Sequence, residues 1–238
     1  QVKATSDGGV YIAWITDGNY HVYIQRLNLN GEIQFNDLGM LISDNPNSSW
    51  IAINHINLDV DSEDNAILTT VDQRTGIWEV YAWKISPEGD LVWGEDGIAV
   101  TDYGLVNMSP RISILADNSV IVTCTQDDSK VFIQRILPEG NLFFDEGLII
   151  ENETQAFIVP QSIKSSYDSF LIQWIGQSPG WPIYSEIFLQ KFSLNGETIW
   201  DEPTTVMEST VLPMGNFSQQ LITNLDGNIF SAWTQFSG

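Results

Sequence analysis

Cysteine is all but missing from these 238 residues. Cys124 stands alone, which excludes an internal disulfide and a thiolate metal cluster. Basic residues are also scarce. Nine Lys and Arg face 31 Asp and Glu, for a net charge of −22. So few cations cannot form a face that releases counterions from a phosphate backbone, so nucleic acid is excluded as a partner. An anionic membrane surface is disfavoured for the same reason. No apolar run approaches the roughly 18 residues of a spanning helix, and membrane insertion is not expected. Histidine occurs only as His21 and His55, and no Gly-x-Ser-x-Gly, His-Glu-x-x-His or phosphate-loop pattern is present. No catalytic residue and no cofactor is assigned on these grounds. No stretch carries a 3.6-residue apolar period, so helix should be scarce.

What the chain does have is a repeat. Arg26 to Phe35 returns as Lys84 to Trp93, Arg135 to Phe144 and Lys191 to Trp200. Each copy starts on a cation, places a glycine five residues later (Gly31, Gly89, Gly140, Gly196) and ends on an aromatic. The glycines are 51 to 58 residues apart, a period that marks a repeat architecture. Ahead of each copy stand two more recurring elements. One is a turn rich in Asp, Asn and Gly followed by a β-branched, aromatic run, as in Asp7 to Trp14, Asp117 to Cys124 and Asp226 to Trp233. The other alternates with period two, as in His21 to Arg26 and Lys130 to Arg135.

Each unit thus holds four short strands, called A to D here. One four-stranded antiparallel unit cannot bury both of its faces, and packing successive units radially does. The expected fold is all-β: a β-propeller of four-stranded antiparallel blades, about 50–58 residues each. The repeats fall at about 1–43, 44–101, 102–151, 152–209 and a partial 210–238. Both ends carry A and B material, so the expectation is a fragment of a propeller with five or more blades.

Several residues carry a family resemblance: Trp14, Gln25, Arg26, Gly31, Phe35 and Gly39 in repeat one, Trp83, Lys84, Gly89, Trp93 and Gly97 in repeat two. Gln134, Arg135, Gly140, Phe144 and Gly147 continue it, as do Trp174, Gln190, Lys191, Gly196 and Trp200. This pattern resembles the repeat regions of large secreted bacterial β-propeller proteins, often substrates of type IX secretion. The resemblance implies an extracellular or cell-surface location, and a secretion or cell-surface complex as a partner.

The cations Arg26, Lys84, Arg135 and Lys191 sit beside glycine turns and should pair with carboxylates in their own or the next blade. His21 should lie at the surface. Asp59, Asp61 and Asp64 form a run whose oxygen spacing could hold calcium, though it lacks the glycine and distal Glu of an EF-hand loop; a solvated turn is expected. Cys124 stands where Trp14, Trp174 and Trp233 stand in other repeats, and should be a buried packing residue.

Loop asymmetry points to a ligand face. The A–B and C–D turns are tight, whereas the D–A linkers and one B–C loop are long and carry aromatics. Trp50, Trp78, Tyr103, Phe157, Trp181 and Tyr184 should therefore share one face. Aromatic rings on rigid loops bind sugars and peptides. The function expected first is a non-catalytic extracellular module for binding or display, recognising glycan or protein. The alternatives are a propeller glycoside hydrolase or lyase using axial carboxylates, and a passive spacer in a larger adhesin.

Overall fold

A computed structural model of the chain describes residues 1–16, 18, 20–46, 56–101, 104–211, 219–223 and 228–233. Eighteen strands are assigned, β1 to β18 in chain order. They form four four-stranded antiparallel sheets and one two-stranded sheet. Blade one is β1 (Val2–Ala4), β2 (Val10–Ile15), β3 (Val22–Leu27) and β4 (Met40–Ser43), paired in that order. Blade two is β5 (Ile56–Val60), β6 (Ala66–Asp72), β7 (Glu79–Ile85) and β8 (Ile98–Ala99). Blade three is β9 (Asn107–Ile114), β10 (Val120–Gln126), β11 (Lys130–Ile136) and β12 (Leu148–Ile150). Blade four is β13 (Ala156–Ser166), β14 (Ser169–Gln177), β15 (Tyr184–Ser193) and β16 (Thr204–Val211), and β17 (Gln219–Thr223) pairs with β18 (Ile229–Trp233). Contacts between neighbouring sheets converge on β1, β5, β9, β13 and β17. The first strand of each blade is therefore innermost. The architecture is a β-propeller, as the repeat predicts.

The core lies between the blades. Central strands are buried on both faces, and β6 and β10 are buried at every residue. Their alternate residues serve different neighbours. Leu68 and Trp83 of blade two join Tyr11 and Ile24 of blade one, while Ile67 and Val80 join Val122 and Phe132 of blade three. Cys124 is in that second cluster, and burial pushes its thiol pKa up, so it is a packing residue.

The repeated glycine turn is explained by close approach. Gly89, Gly140 and Gly196 all have positive φ and close the same turn, each donating its N–H to the carbonyl three residues back. A Cβ on Gly140 would stand 3.0 Å from the Trp93 ring of the preceding blade, and one on Gly196 2.9 Å from Phe144. The aromatic ending each repeat thus lies on the glycine of the next, a contact only a missing side chain permits.

The inner strands of blades three and four share a device that the sequence also shows. Ser109-Pro110 and Val159-Pro160 occupy equivalent one-residue bulges, with φ of 56° at Ser109 and 50° at Val159. Proline cannot donate to a ladder, and a bulge is where a strand tolerates it. The freed N–H of Val159 donates to Thr125 Oγ1 of blade three at 2.8 Å, so the bulge joins two blades.

Candidate functional site

The two ends of the blades differ in what their polar groups do. At the tight-turn end, these groups stitch the structure together. Arg26, Lys84 and Arg135 sit at one register position, opposite Tyr11, Ile67 and Ile121. Arg26 pairs with Asp7 at 2.6 Å, Lys84 with Asp61 at 2.9 Å and Arg135 with Asp117 at 2.5 Å. Each carboxyl lies below its ordinary pKa. For Asp7 the Thr5 hydroxyl is the main cause, with the Gly9 N–H and Arg26 adding to it. For Asp61 burial pushes upward, but hydrogen bonds from Asn65 and Lys84 outweigh it; Ser119 and Arg135 do the same for Asp117. The arginines also reach onward. Arg26 Nη1 donates to Pro87 O and Arg135 Nη1 to Leu194 O, both in the next blade. In blade four the equivalent turn position is Tyr167, an exposed residue.

The turns themselves are clasped. Ser6 donates its N–H and hydroxyl to the Asp64 carboxylate at 2.7 and 2.6 Å, and Ser62 does the same to Asn118 Oδ1. Asp59, Asp61 and Asp64, whose spacing could have held calcium, are taken up by such contacts. Asp59 faces Lys3 at 3.1 Å, Asp61 holds Lys84, and Asp64 takes Ser6, so the three carboxylates serve three different partners. The solvated turn expected there fails as well for Asp61, which is buried. Among the described residues no group of three or more His, Cys, Asp or Glu is placed to hold a metal ion. Gln25, Gln134 and Gln190 are not bonded from strand to strand. Each donates to a backbone carbonyl of the C–D connection: Asn36, Phe144 or Trp200.

The loop end is where a site can form. In blade two it is closed. Arg74 grips Asp72 through Nε and Nη2 and lies 3.5 Å over the Tyr81 ring. Glu79, 1% exposed, accepts from Thr75 and from the Tyr81 hydroxyl. Arg74 Nη1 donates to Asp96 O at 2.9 Å, so the charged groups of this cluster are paired with one another or with backbone. His21, at the equivalent position in blade one, is half-buried where a surface residue is expected.

Between blades three and four the same end is open. A cleft of about 350 Å³ is lined by Ser129, Asn152, Glu153, Gln155, Gln177 and Ser178 together with their neighbours. Gln155 Nε2 donates to Glu186 Oε2 at 2.6 Å, so a side chain on the linker fixes a carboxylate on β15. The loop between β14 and β15 is pinned at its base, where Ser178 and Tyr184 exchange hydrogen bonds of 2.9 Å. Trp181 at 79% exposure and Tyr184 at 45% stand on this loop, whose first residues, Ser178 and Pro179, line the cleft. The Trp181–Pro182 bond is cis.

Under the linker lies a rigid floor. Trp174 and Phe188 stack and Phe157 packs tilted against both, with centroids 5.6 to 5.7 Å apart. Gly176 makes room for it, since a Cβ there would stand 2.7 Å from Phe188 and 3.0 Å from Gln155 Oε1.

Of the six aromatics predicted to share a ligand face, Trp181 and Tyr184 are exposed on it. Phe157 is buried in the floor, because its strand partner is Gly176 and the space above that glycine takes the ring. Trp78 is half-buried against the core between blades two and three, and its carbonyl accepts the Asn107 N–H. Trp50 and Tyr103 lie outside the described residues. The residues that sequence reading missed are Glu153, Gln155, Gln177 and Glu186. With 31 Asp and Glu in the chain, neither glutamate stands out by composition.

No protein-family model matches the sequence, and no curated protein matches it. Solved structures do share the fold. An α-L-arabinofuranosidase from Fusarium graminearum, in complex with an iminosugar inhibitor, superposes with a TM-score of 0.60 at 8% identity, over 98% of this chain and 74% of that one. The same enzyme with arabinobiose gives 0.58 at 8% identity, with the same coverage of both chains. A lectin from Burkholderia pseudomallei gives 0.57 at 12% identity, over 100% of this chain and 67% of that one. These likenesses establish the β-propeller class.

The arabinofuranosidase structures count against the non-catalytic binding or display function expected from sequence, since enzymes carry this fold over nearly the whole chain. The expectation went wrong for a physical reason. The hydrolase alternative was tied to axial carboxylates, and on the inner A strands the described residues place only Asp59. The carboxylates at the cleft, Glu153 and the Gln155-bound Glu186, come instead from a D–A linker and a C strand.

Proposed function

We propose that this chain is a carbohydrate-processing propeller of the glycoside hydrolase class, taking glycan into the cleft between blades three and four. The observation that carries this reading is a cleft lined by Glu153 and amide side chains, one of which, Gln155, holds Glu186, next to the loop that exposes Trp181 and Tyr184. Amides and hydroxyls suit sugar hydroxyls, and exposed rings suit the apolar faces of sugar rings. Glycosidic cleavage needs two carboxyl groups, one protonating the leaving oxygen and one acting as base or nucleophile. Glu186, fixed in place by the Gln155 amide, takes the second role, and Glu153 on the linker is the proton donor. The arabinofuranosidase likeness supports testing arabinose-containing substrates first. The acidic composition and the repeat pattern support an extracellular or cell-surface setting, which cell fractionation would check.

The test is release of reducing ends from arabino-oligosaccharides and from a panel of aryl glycosides. Turnover on at least one substrate is expected, and Glu186→Gln should lower kcat by about 100-fold or more at unchanged melting temperature. No turnover across the panel, or full activity in Glu186→Gln, would refute the assignment. Trp181→Ala should raise KM roughly tenfold with kcat little changed. Because that ring is exposed, the variant should keep its stability to within about 0.5 kcal/mol.

A further inference from the structure

All nine cations of the chain are described, and their placement is uneven. Arg26, Lys84, Arg135 and Lys191 lead the C–D turns, at the end opposite the cleft. Lys3 and Lys164 also lie towards that end, on the inner strands where they run into the A–B turns. Arg74 is held by Asp72 at the loop end of blade two. Lys130 pairs with Glu151 at 2.7 Å, which holds its ammonium above the usual lysine range, and its strand register turns it towards blade two and away from the cleft. Arg111 sits within the inner strand of blade three, donating to Pro110 O. None of the nine lines the cleft, whose ionisable groups are Glu153 on its wall and Glu186 behind Gln155.

From this arrangement we infer that the cleft selects uncharged glycans and rejects acidic ones such as uronic-acid or sulfated chains. The inference rests on the cleft being the glycan site. An anionic sugar entering there meets carboxylates and no cation, in a chain carrying −22 overall. Its own charge must be desolvated without compensation, and the field of the loop face opposes its approach. A neutral sugar meets only the amide and hydroxyl groups that can bond it.

The test is calorimetric titration with arabino-oligosaccharides and with the same compounds oxidised at the reducing end to aldonates. The two ligands differ chiefly in one carboxylate. At low salt the aldonate should bind roughly tenfold more weakly, the size expected of two like charges about 3 Å apart in a well-solvated, water-like dielectric. The gap should narrow at about 0.5 M salt, where the Debye length is a few ångströms. Gln177→Lys, which places a cation in the lining, should restore aldonate affinity. Equal or tighter aldonate binding by the unaltered protein would overturn the selectivity while leaving the glycan site standing. A gap that neither salt nor Gln177→Lys changes would remove its electrostatic cause and overturn it as well. Failure of both ligands to bind would instead overturn the cleft as a site for these glycans, and the selectivity with it.

Discussion

Gly97→Ala is expected to destabilise the protein by about 3 kcal/mol, the sum of a left-handed backbone penalty of about 1–2 kcal/mol and an overpacking cost of about 1–3 kcal/mol. Gly97 has φ of +68°, and a Cβ there would stand 2.5 Å from Trp83 Cε2 and 2.8 Å from the Ala82 carbonyl. The ring has nowhere to go. Trp83 is fully buried, and its Nε1 is tied to Glu95 O at 3.1 Å. Gly94→Ala is the matched control. It also has positive φ, at +95°, but nothing lies within 4 Å of its would-be Cβ. Its cost should be the backbone part alone, about 1–2 kcal/mol. Urea unfolding of both variants, with unchanged m-values, reads the difference. Equal midpoints would mean that packing against Trp83 contributes nothing.

Asp61→Ala should cost about 3–5 kcal/mol, the range for breaking a buried ion pair from one side. Lys84 is 7% exposed and Asp61 fully buried, so removing the carboxylate strands an ammonium in the core. It also frees the N–H groups of Glu63 and Asn65 and the Asn65 amide, all of which bond Asp61. Replacing both partners, as in Asp61→Leu with Lys84→Met, should recover most of the loss. The same carboxyl sets an acid limit. Its folded pKa lies below its unfolded one, so its contribution is complete above the unfolded value, about 3.9, and is lost as pH falls through the folded value. Asp7 and Asp117 act in the same direction. Acid unfolding of the unaltered protein should therefore steepen below about pH 4, and Asp61→Ala should flatten that slope. An unchanged slope in the variant would mean that another group sets the acid limit.

Much of the fold could be read in the sequence because a blade is a local object. Its strands pair through short turns, so a glycine that must take positive φ, such as Gly89 or Gly140, and a period-two run such as Val131 to Ile136 report the same structure from nearby residues. The site was far less legible. Trp181 and Tyr184 could be found, because a loop longer than its equivalents is a local signal. Phe157 looked like their partner and is not, since its direction depends on pairing with Gly176, nineteen residues away. The polar residues of the cleft had no local signal at all.

What the amino-acid sequence determined by itself was the blade: its four strands, its tight-turn end, and the cation that meets a carboxylate there in three of four repeats. Steric limits on φ and the two-residue period of a strand act over a few residues and need no distant partner. Only the tertiary structure decided that Lys84 and Asp61 are buried together, that Asp59, Asp61 and Asp64 part company, and that Gln155 meets Glu186. Those outcomes depend on how far one blade leans on the next. That distance is set by the rings and glycines packed between them, and no short stretch of chain contains both sides of that contact.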